Sequence, residues 1–347
     1  MRRLAVLTVV GVAGLLAWEA WRVLTPAPVT RERSIIVHVP PQESAFSIAA
    51  RLQEAGAIRS STGFVVLSLA RGTLRSLKAG EYEVPRGAST PEVLALLESG
   101  RTRPHPVLHP EGATVAELAR ALERANLAQA ADVLGTATDP AFLRAHGIEA
   151  PSVEGYPFPD TYYFVPGMTA DQILGRMVQR MQAKLRPDLR ERARARHLTV
   201  HELLTLASII EREAVARDEL RLISAVFWNR LQLGMPLQAD PTVQYAVGKD
   251  RQLLRRSDLL RDHPYNTYTR PGLPPGPIAS PGLATIEAAL EPAPVTYLYF
   301  VKKDDQRHTF STTLEDHDAA TARYRASLTG EQRDGPVTRY RRPRLKQ

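Results

Sequence analysis

The residues of this chain best suited to chemistry are two glutamates, two positions apart, in the run LASIIEREA at 206–214. At 3.6 residues per turn, Leu204, Ala207, Ala214 and Val215 share a face with Glu211, and Leu203 and Ile210 border it. Glu211 therefore falls inside the apolar stripe of its own helix. The neighbours that could neutralise it along that helix, Ala207, Ser208, Ala214 and Val215, carry no charge. A carboxyl with apolar neighbours has its pKa pushed up, which keeps it protonated and fit to act as a general acid. Glu213 differs, because Arg217 lies four residues on, in the favourable order for an ion pair along a helix. The alternative for Glu211 is an ion pair with an arginine from another element, since buried pairs also perturb pKa.

The surrounding sequence supplies aromatics (Tyr156, Tyr162, Tyr163, Tyr245, Tyr265, Tyr268), amides (Gln238, Gln244, Asn266) and hydroxyls (Thr242, Thr267, Ser280). Flat apolar faces beside hydrogen-bonding groups suit a polysaccharide. Metal chemistry has little support: HELLT at His201 lacks the second histidine of an H-E-x-x-H site, and His308 and His317 stand alone. There is no G-x-S-x-G elbow and no P-loop. With no cysteine, disulfides, thiolate metal sites and a cysteine nucleophile are excluded. Neither cofactor nor metal is expected. Asp240, followed by Pro241, is the other acid of interest; its structural role would be to cap the helix starting there.

These residues must be held by a sizeable core. The chain has 347 residues, 44% hydrophobic and 24% charged, enough for two or three globular units. Five of the eight net positive charges (Arg339, Arg341, Arg342, Arg344, Lys346) lie in a Pro-containing terminus free of acids, a solvated tail and not a nucleic-acid patch. At the other end, residues 4–18 are fifteen positions without a charge; counted to Leu24 the segment reaches the ~20 residues that span a bilayer. Glu19 and Arg22, three apart, would pair at the interface, where Trp18 and Trp21 also fit. Pro26 and Pro28 crowd the place where a signal peptidase would cut. The expectation is a single anchor, with everything after Pro26 outside.

Further elements follow from pattern. SIIVHV reads as a strand, Ser44 caps AFSIAARLQEA up to Gly56, GFVVLSLAR is a helix stopped at Gly72, AGEYEVP is a return strand, and Thr90–Pro91 opens EVLALLE. LHPEGATVAELARALERANL echoes the strand, hydroxyl cap and helix of the first module. Short helices are expected over 132–147, an aromatic loop over 154–167, and helices over 170–185, 200–216 and 220–233. Residues 264–282, with six prolines, three glycines and no acid, form a rigid irregular loop of the kind that lines a cleft. VTYLYFV is a strand.

EGYPFPDTYYF, LASIIEREA, FWNRLQLGMPLQADPTVQYA, YNTYTRPGLPPGPIASPG and YLYFV occur in the order in which the chain resembles the membrane-anchored endolytic murein transglycosylases, the YceG-like proteins. LKAGEYEVPRGASTPEVLALLESGR resembles the LysM-like module that precedes their catalytic domain. The resemblance spans residues 34–326. It implies an α+β fold with an N-terminal transmembrane helix (4–24, after a cytoplasmic stub 1–3), a linker (25–33), a LysM-like module (34–103), a connecting helical region (104–150), a mixed α/β catalytic domain (151–330) and a basic, disordered tail (331–347). It also implies lytic cleavage of MurNAc-β-1,4-GlcNAc bonds in nascent peptidoglycan with Glu211 as the catalytic residue, and Gln238, Asp240, Tyr265, Asn266, Thr267 and Tyr268 lining the sugar cleft. The protein would sit in the bacterial inner membrane, its catalytic domain outside, beside cell-wall synthases of the penicillin-binding class. Two other readings stand beside this one: a hydrolytic muramidase with Asp240 or Asp160 as second acid, and a silent peptidoglycan-binding scaffold. An unpaired glutamate in an apolar stripe counts against the scaffold.

Overall fold

The computed structural model describes residues 2–27, 33–40, 42–249 and 251–331. The tail from residue 332, most of the expected linker (28–32) and the side chains of residues 2–10, 12, 16 and 329–331 lie outside the description. The chain divides into two compact units: one runs to Val107 and takes in 125–128 and 162–169, and the other holds the remainder.

In the first unit, helix α1 (Arg2–Leu24) is followed by β1 (Ser34–Val39), α2 (Ala45–Glu54), α3 (Ser61–Ala70), β2 (Gly80–Pro85) and α4 (Thr90–Ser99). β1 and β2 pair antiparallel, Val37 opposite Tyr82 and Ile35 opposite Val84. Strand alternation turns Val37, Val39, Tyr82 and Val84 onto one face, where Ile48, Leu52, Phe64, Leu94 and Leu97 complete a closed core. Ser44 caps α2 as the sequence signals, whereas α4 is capped by Ser89, one residue before the expected Thr90–Pro91 opening. Ser44 Oγ accepts the Ser47 N–H at 3.1 Å, Glu92 accepts the Ser89 N–H at 2.7 Å, and Gly100 takes the left-handed conformation that ends α4. Arg22 and Glu19 pair at 2.8 Å, as their spacing predicts. Among the residues whose side chains are described, no helix is long and apolar enough to cross a membrane.

β3 (His105–His109) leads into the second unit: α5 (Val115–Arg124), α6 (Ala130–Ala137), α7 (Pro140–Ala145), then, after β4 (Asp160–Phe164), most of which belongs to the first unit, α8 (Ala170–Lys184), α9 (Pro187–Ala195) and α10 (Val200–Glu213). A 3-10 turn (Arg217–Glu219) then precedes α11 (Leu220–Gln232), α12 (Asp240–Val247), α13 (Arg256–Leu259), α14 (Leu283–Leu290), β5 (Tyr299–Lys302), β6 (His308–Ser311) and α15 (Leu314–Glu331). β3 with β4, and β5 with β6, form two further two-stranded sheets. α10 is the central element, packed against α9, α11, α12 and α14.

Several elements differ from expectation. α10 ends at Glu213 and not at 216: Ala214 turns extended (ψ 134°), and Arg217 opens the 3-10 turn with its guanidinium on Glu111. The aromatic run expected as loop contains β4. α9, rich in arginine, buries only Leu189 and Ala193, too little to register as an apolar stripe. α14 and β6 follow irregular segments without a periodic lead-in. The C-terminal hairpin β5–β6 is tied to the start of α11 by a buried pair, His308 Nδ1 with Glu219 Oε2 at 2.7 Å.

Candidate active site

Helix α10 is fixed at its N-terminus before it presents anything. Thr199 and Glu202 form a capping box, Glu202 accepting the Thr199 N–H at 2.8 Å and Thr199 Oγ1 accepting the Glu202 N–H at 3.1 Å. Leu203, Leu204, Leu206, Ala207, Ile209 and Ile210 are fully buried. One turn before Glu211, Ser208 Oγ donates to the Thr205 carbonyl at 2.8 Å and accepts the Ile278 N–H at 3.0 Å, which pins the Pro-rich loop to the helix.

Glu211 then emerges half-buried. Its Oε2 accepts the Gly282 N–H at 2.9 Å and the Thr285 hydroxyl at 2.5 Å. Gly282 is the N-cap of α14 and Thr285 lies in its first turn, so the carboxyl faces a helix N-terminus. Burial lifts its pKa above the ordinary carboxylate range, and the negative charge of Glu111 adds to the lift; Thr285, Gly282 and Arg217 oppose it. The outcome is a proton held at higher pH than an exposed glutamate would hold it. Both α14 contacts lie more than seventy positions along the chain, beyond any helical spacing that sequence could show.

A second carboxyl stands close by. Glu111 packs over the α-carbon of Gly282 and receives the Arg217 guanidinium. The loop bearing it is joined to the Pro-rich loop by reciprocal backbone bonds: the Gly112 N–H to the Ser280 carbonyl and the Ser280 N–H to the Ala113 carbonyl, both 2.8 Å. His109 Nε2 meets Ser280 Oγ at 2.8 Å, and burial lowers that imidazole to about 4, so it is neutral. In the sequence Glu111 falls in the entry to a helix, and its neighbour Gly282 lies 171 positions away, beyond any local signal. With Glu211 as general acid only the protonated form would work, and the alkaline limb of the rate profile would report this carboxyl. The Glu111→Gln variant should shift that limb to lower pH and Arg217→Gln to higher pH, read from kcat/KM across pH; unmoved limbs would show the pair to be electrostatically silent.

Behind the loop, Glu154 is 6% exposed, accepts the Val115 N–H at 3.0 Å and is pushed by burial up to about 8, so it is uncharged at neutral pH. Gly155, at φ +81°, has Pro277 where any side chain would stand, which seats the loop against this turn. His201 Nε2 meets the Pro275 carbonyl at 2.8 Å and Nδ1 meets the Tyr156 hydroxyl at 3.0 Å. A carbonyl only accepts, so Nε2 carries the proton and the phenol donates to Nδ1. His201 thus serves as a loop clamp. Tyr245 and Tyr265 lie with ring centroids 5.0 Å apart, both partly exposed, and His263 flanks Tyr265 at 5.9 Å.

The other residues singled out in the sequence fall into one neighbouring loop system. Gln238 holds a left-handed backbone (φ +53°), and its side-chain oxygen accepts from Arg230 Nη1 at 3.3 Å. Asp240 is exposed at the start of α12, and its carboxylate accepts the Tyr268 hydroxyl. Asn266 is fully buried, its amide donating to the carbonyls of Leu259 (3.0 Å) and Arg261 (2.7 Å). Thr267 Oγ1 accepts the Ala239 N–H at 3.0 Å and pairs with Thr242 Oγ1 at 2.9 Å. Gln238, Asp240 and Tyr265 offer atoms to solvent, while Asn266 and Thr267 hold the loop. Arg230, absent from the sequence reading, organises this region: 5% exposed, it donates to the carbonyls of Leu237 (2.9 Å), Pro236 (3.2 Å) and Leu298 (2.6 Å) and lies over the Tyr299 ring.

The model of the YceG-like family matches residues 37–323. An endolytic murein transglycosylase of Bacillus subtilis is 32% identical over 320 residues, covering 88% of each chain. One of Streptococcus pneumoniae serotype 2 is 29% identical over 333 residues, covering 87% of this chain and 60% of the relative. A crystal structure of a yceG-like protein from Listeria monocytogenes superposes with a TM-score of 0.59 at 34% identity, over 83% of this chain and 98% of that one.

Proposed function

The chain belongs to the YceG-like family, and we infer that it shares the activity of its relatives: it is an endolytic murein transglycosylase acting on peptidoglycan glycan strands. The observation that carries the reading is the half-buried Glu211 carboxyl, lifted in pKa and aimed by Gly282 and Thr285.

In the proposed reaction Glu211 protonates the glycosidic oxygen linking N-acetylmuramic acid to N-acetylglucosamine, and the bond from the anomeric carbon to that oxygen breaks. As carboxylate, Glu211 then takes the proton from the muramoyl 6-hydroxyl, whose oxygen bonds the anomeric carbon and closes a 1,6-anhydro ring. One carboxyl returns to its starting state without water. Ordinary hydrolysis needs a second carboxylate. Of the two acids nominated for that role, Asp160 pairs with Arg180 at 2.8 Å and Asp240 accepts from Tyr268, while Glu111, the carboxyl beside Glu211, receives the Arg217 guanidinium. Tyr265, with Gln238 and Asp240, supplies a ring face and polar atoms for the sugar, and Asn266, Thr267 and Tyr268 hold that loop in shape.

Proximity of the tethered hydroxyl is worth roughly 7–11 kcal/mol in favourable cases. Purified protein should therefore release strands ending in anhydromuramic acid, one water lighter than hydrolysis products, with mixed lengths from the earliest time points. Reducing-end muramic acid as the main product, by mass spectrometry, would establish the muramidase instead.

The same proposal places the chain in the inner membrane through residues 4–24, with a LysM-like module (34–103) and the catalytic region outside, where it would cut nascent strands beside penicillin-binding synthases. The uncharged run 4–18 and a helix of 23 residues, ~35 Å long at 1.5 Å per residue, support the anchor.

A further inference from the structure

Helix α3, STGFVVLSLA, has no charged residue in ten. A helix that is apolar all round is normally buried on every side. Here only one side is covered: Phe64 and Ser68 are fully buried in the module, whereas Val66 and Leu69, three apart on the outward face, are 60% and 64% exposed. Among the described residues nothing covers this face.

The contacts of α3 indicate its surroundings. Its first turn is fastened to the last turns of α1: the Ser60 hydroxyl donates to Glu19 at 2.7 Å, Arg22 donates to the Arg59 carbonyl, and Gly63 leaves the space that Val23 fills. The Trp18 and Trp21 rings lie tilted against each other at 5.2 Å, the Arg59 guanidinium lies over Trp21, and these groups line a cavity of about 430 Å³. α3 thus begins where the uncharged run of α1 ends. Arg59 precedes it and Arg71 and Arg75 follow it, cations at both ends of an apolar surface, Arg71 paired with Glu98 at 3.5 Å. Tryptophan, arginine and outward aliphatics in this order are the composition of a helix lying in a bilayer interface.

We propose that α3 is an interfacial helix, its Val66 and Leu69 face resting in the lipid surface next to the point where α1 leaves it, with Arg75 on anionic headgroups and Arg59 beside them on Trp21. The partner is the bilayer itself. This rests on the reading of residues 4–24 as an anchor. Held at two places, the first module has a defined face toward the membrane.

Because the chain has no cysteine, single-cysteine variants of the full-length protein can carry an environment-sensitive fluorophore. Leu69→Cys and Val66→Cys probe the face, and Leu233→Cys, at an equally exposed leucine of the second unit, is the control. In flotation with vesicles containing phosphatidylglycerol, labels at 66 and 69 should shift to the blue and be quenched by lipid-borne nitroxides, while the label at 233 should do neither. The shift should weaken in purely zwitterionic vesicles. Protein that floats with its 66 and 69 labels still in water overturns the proposal but keeps the anchor. Protein that does not float at all overturns both.

Discussion

The Glu211→Gln variant should lose strand cleavage, with kcat/KM falling about 10²–10⁴-fold, the usual contribution of a positioned general acid. The amide keeps the shape and the oxygen that accepts from Gly282 and Thr285, so melting temperature and glycan binding should stay near wild type. What is lost is the transferable proton. Glu213→Gln should lose far less, because its carboxyl lies beyond these contacts. Assaying both variants on isolated glycan, with thermal melting alongside, separates the roles. Equal loss at unchanged melting would mean that the two glutamates have been assigned wrongly.

The largest effect on stability should come from Arg230→Met. The guanidinium serves three backbone carbonyls and the Gln238 side chain from a nearly buried position. Methionine replaces the stem but leaves those carbonyls without their charged donor, at a cost on the order of 3–5 kcal/mol. For a unit of about 200 residues that lowers the melting temperature by roughly 10 °C. Gln238, freed from its strained turn, should also bind glycan less well. Unchanged calorimetric melting would show that water substitutes for the arginine.

Glu211 was legible because α10 is long and amphipathic, so a carboxyl in its apolar stripe stands out by period alone. The Pro-rich loop was legible by composition. The residues that make Glu211 useful, Gly282, Thr285 and Glu111, were not, because each reaches it across 70 or more positions through contacts without periodicity. Sequence also shows which side chains carry donors but not which are already taken. Asn266 and Thr267 were marked by their polarity, and the fold spends that polarity on backbone groups. α10 ran three residues short of its apolar pattern because Arg217 is drawn to Glu111.

The Pro-rich loop has a consequence for energetics. Its six prolines restrict φ even in the unfolded chain, and Ser208, Ser280, Gly155 and His201 hold the rest. Ordering a free residue costs about 1–2 kcal/mol of backbone entropy, and here most of that cost falls on folding and little on ligand capture. A glycan strand therefore meets a wall already in its working shape. Binding should be accompanied by little loss of conformational entropy in this loop.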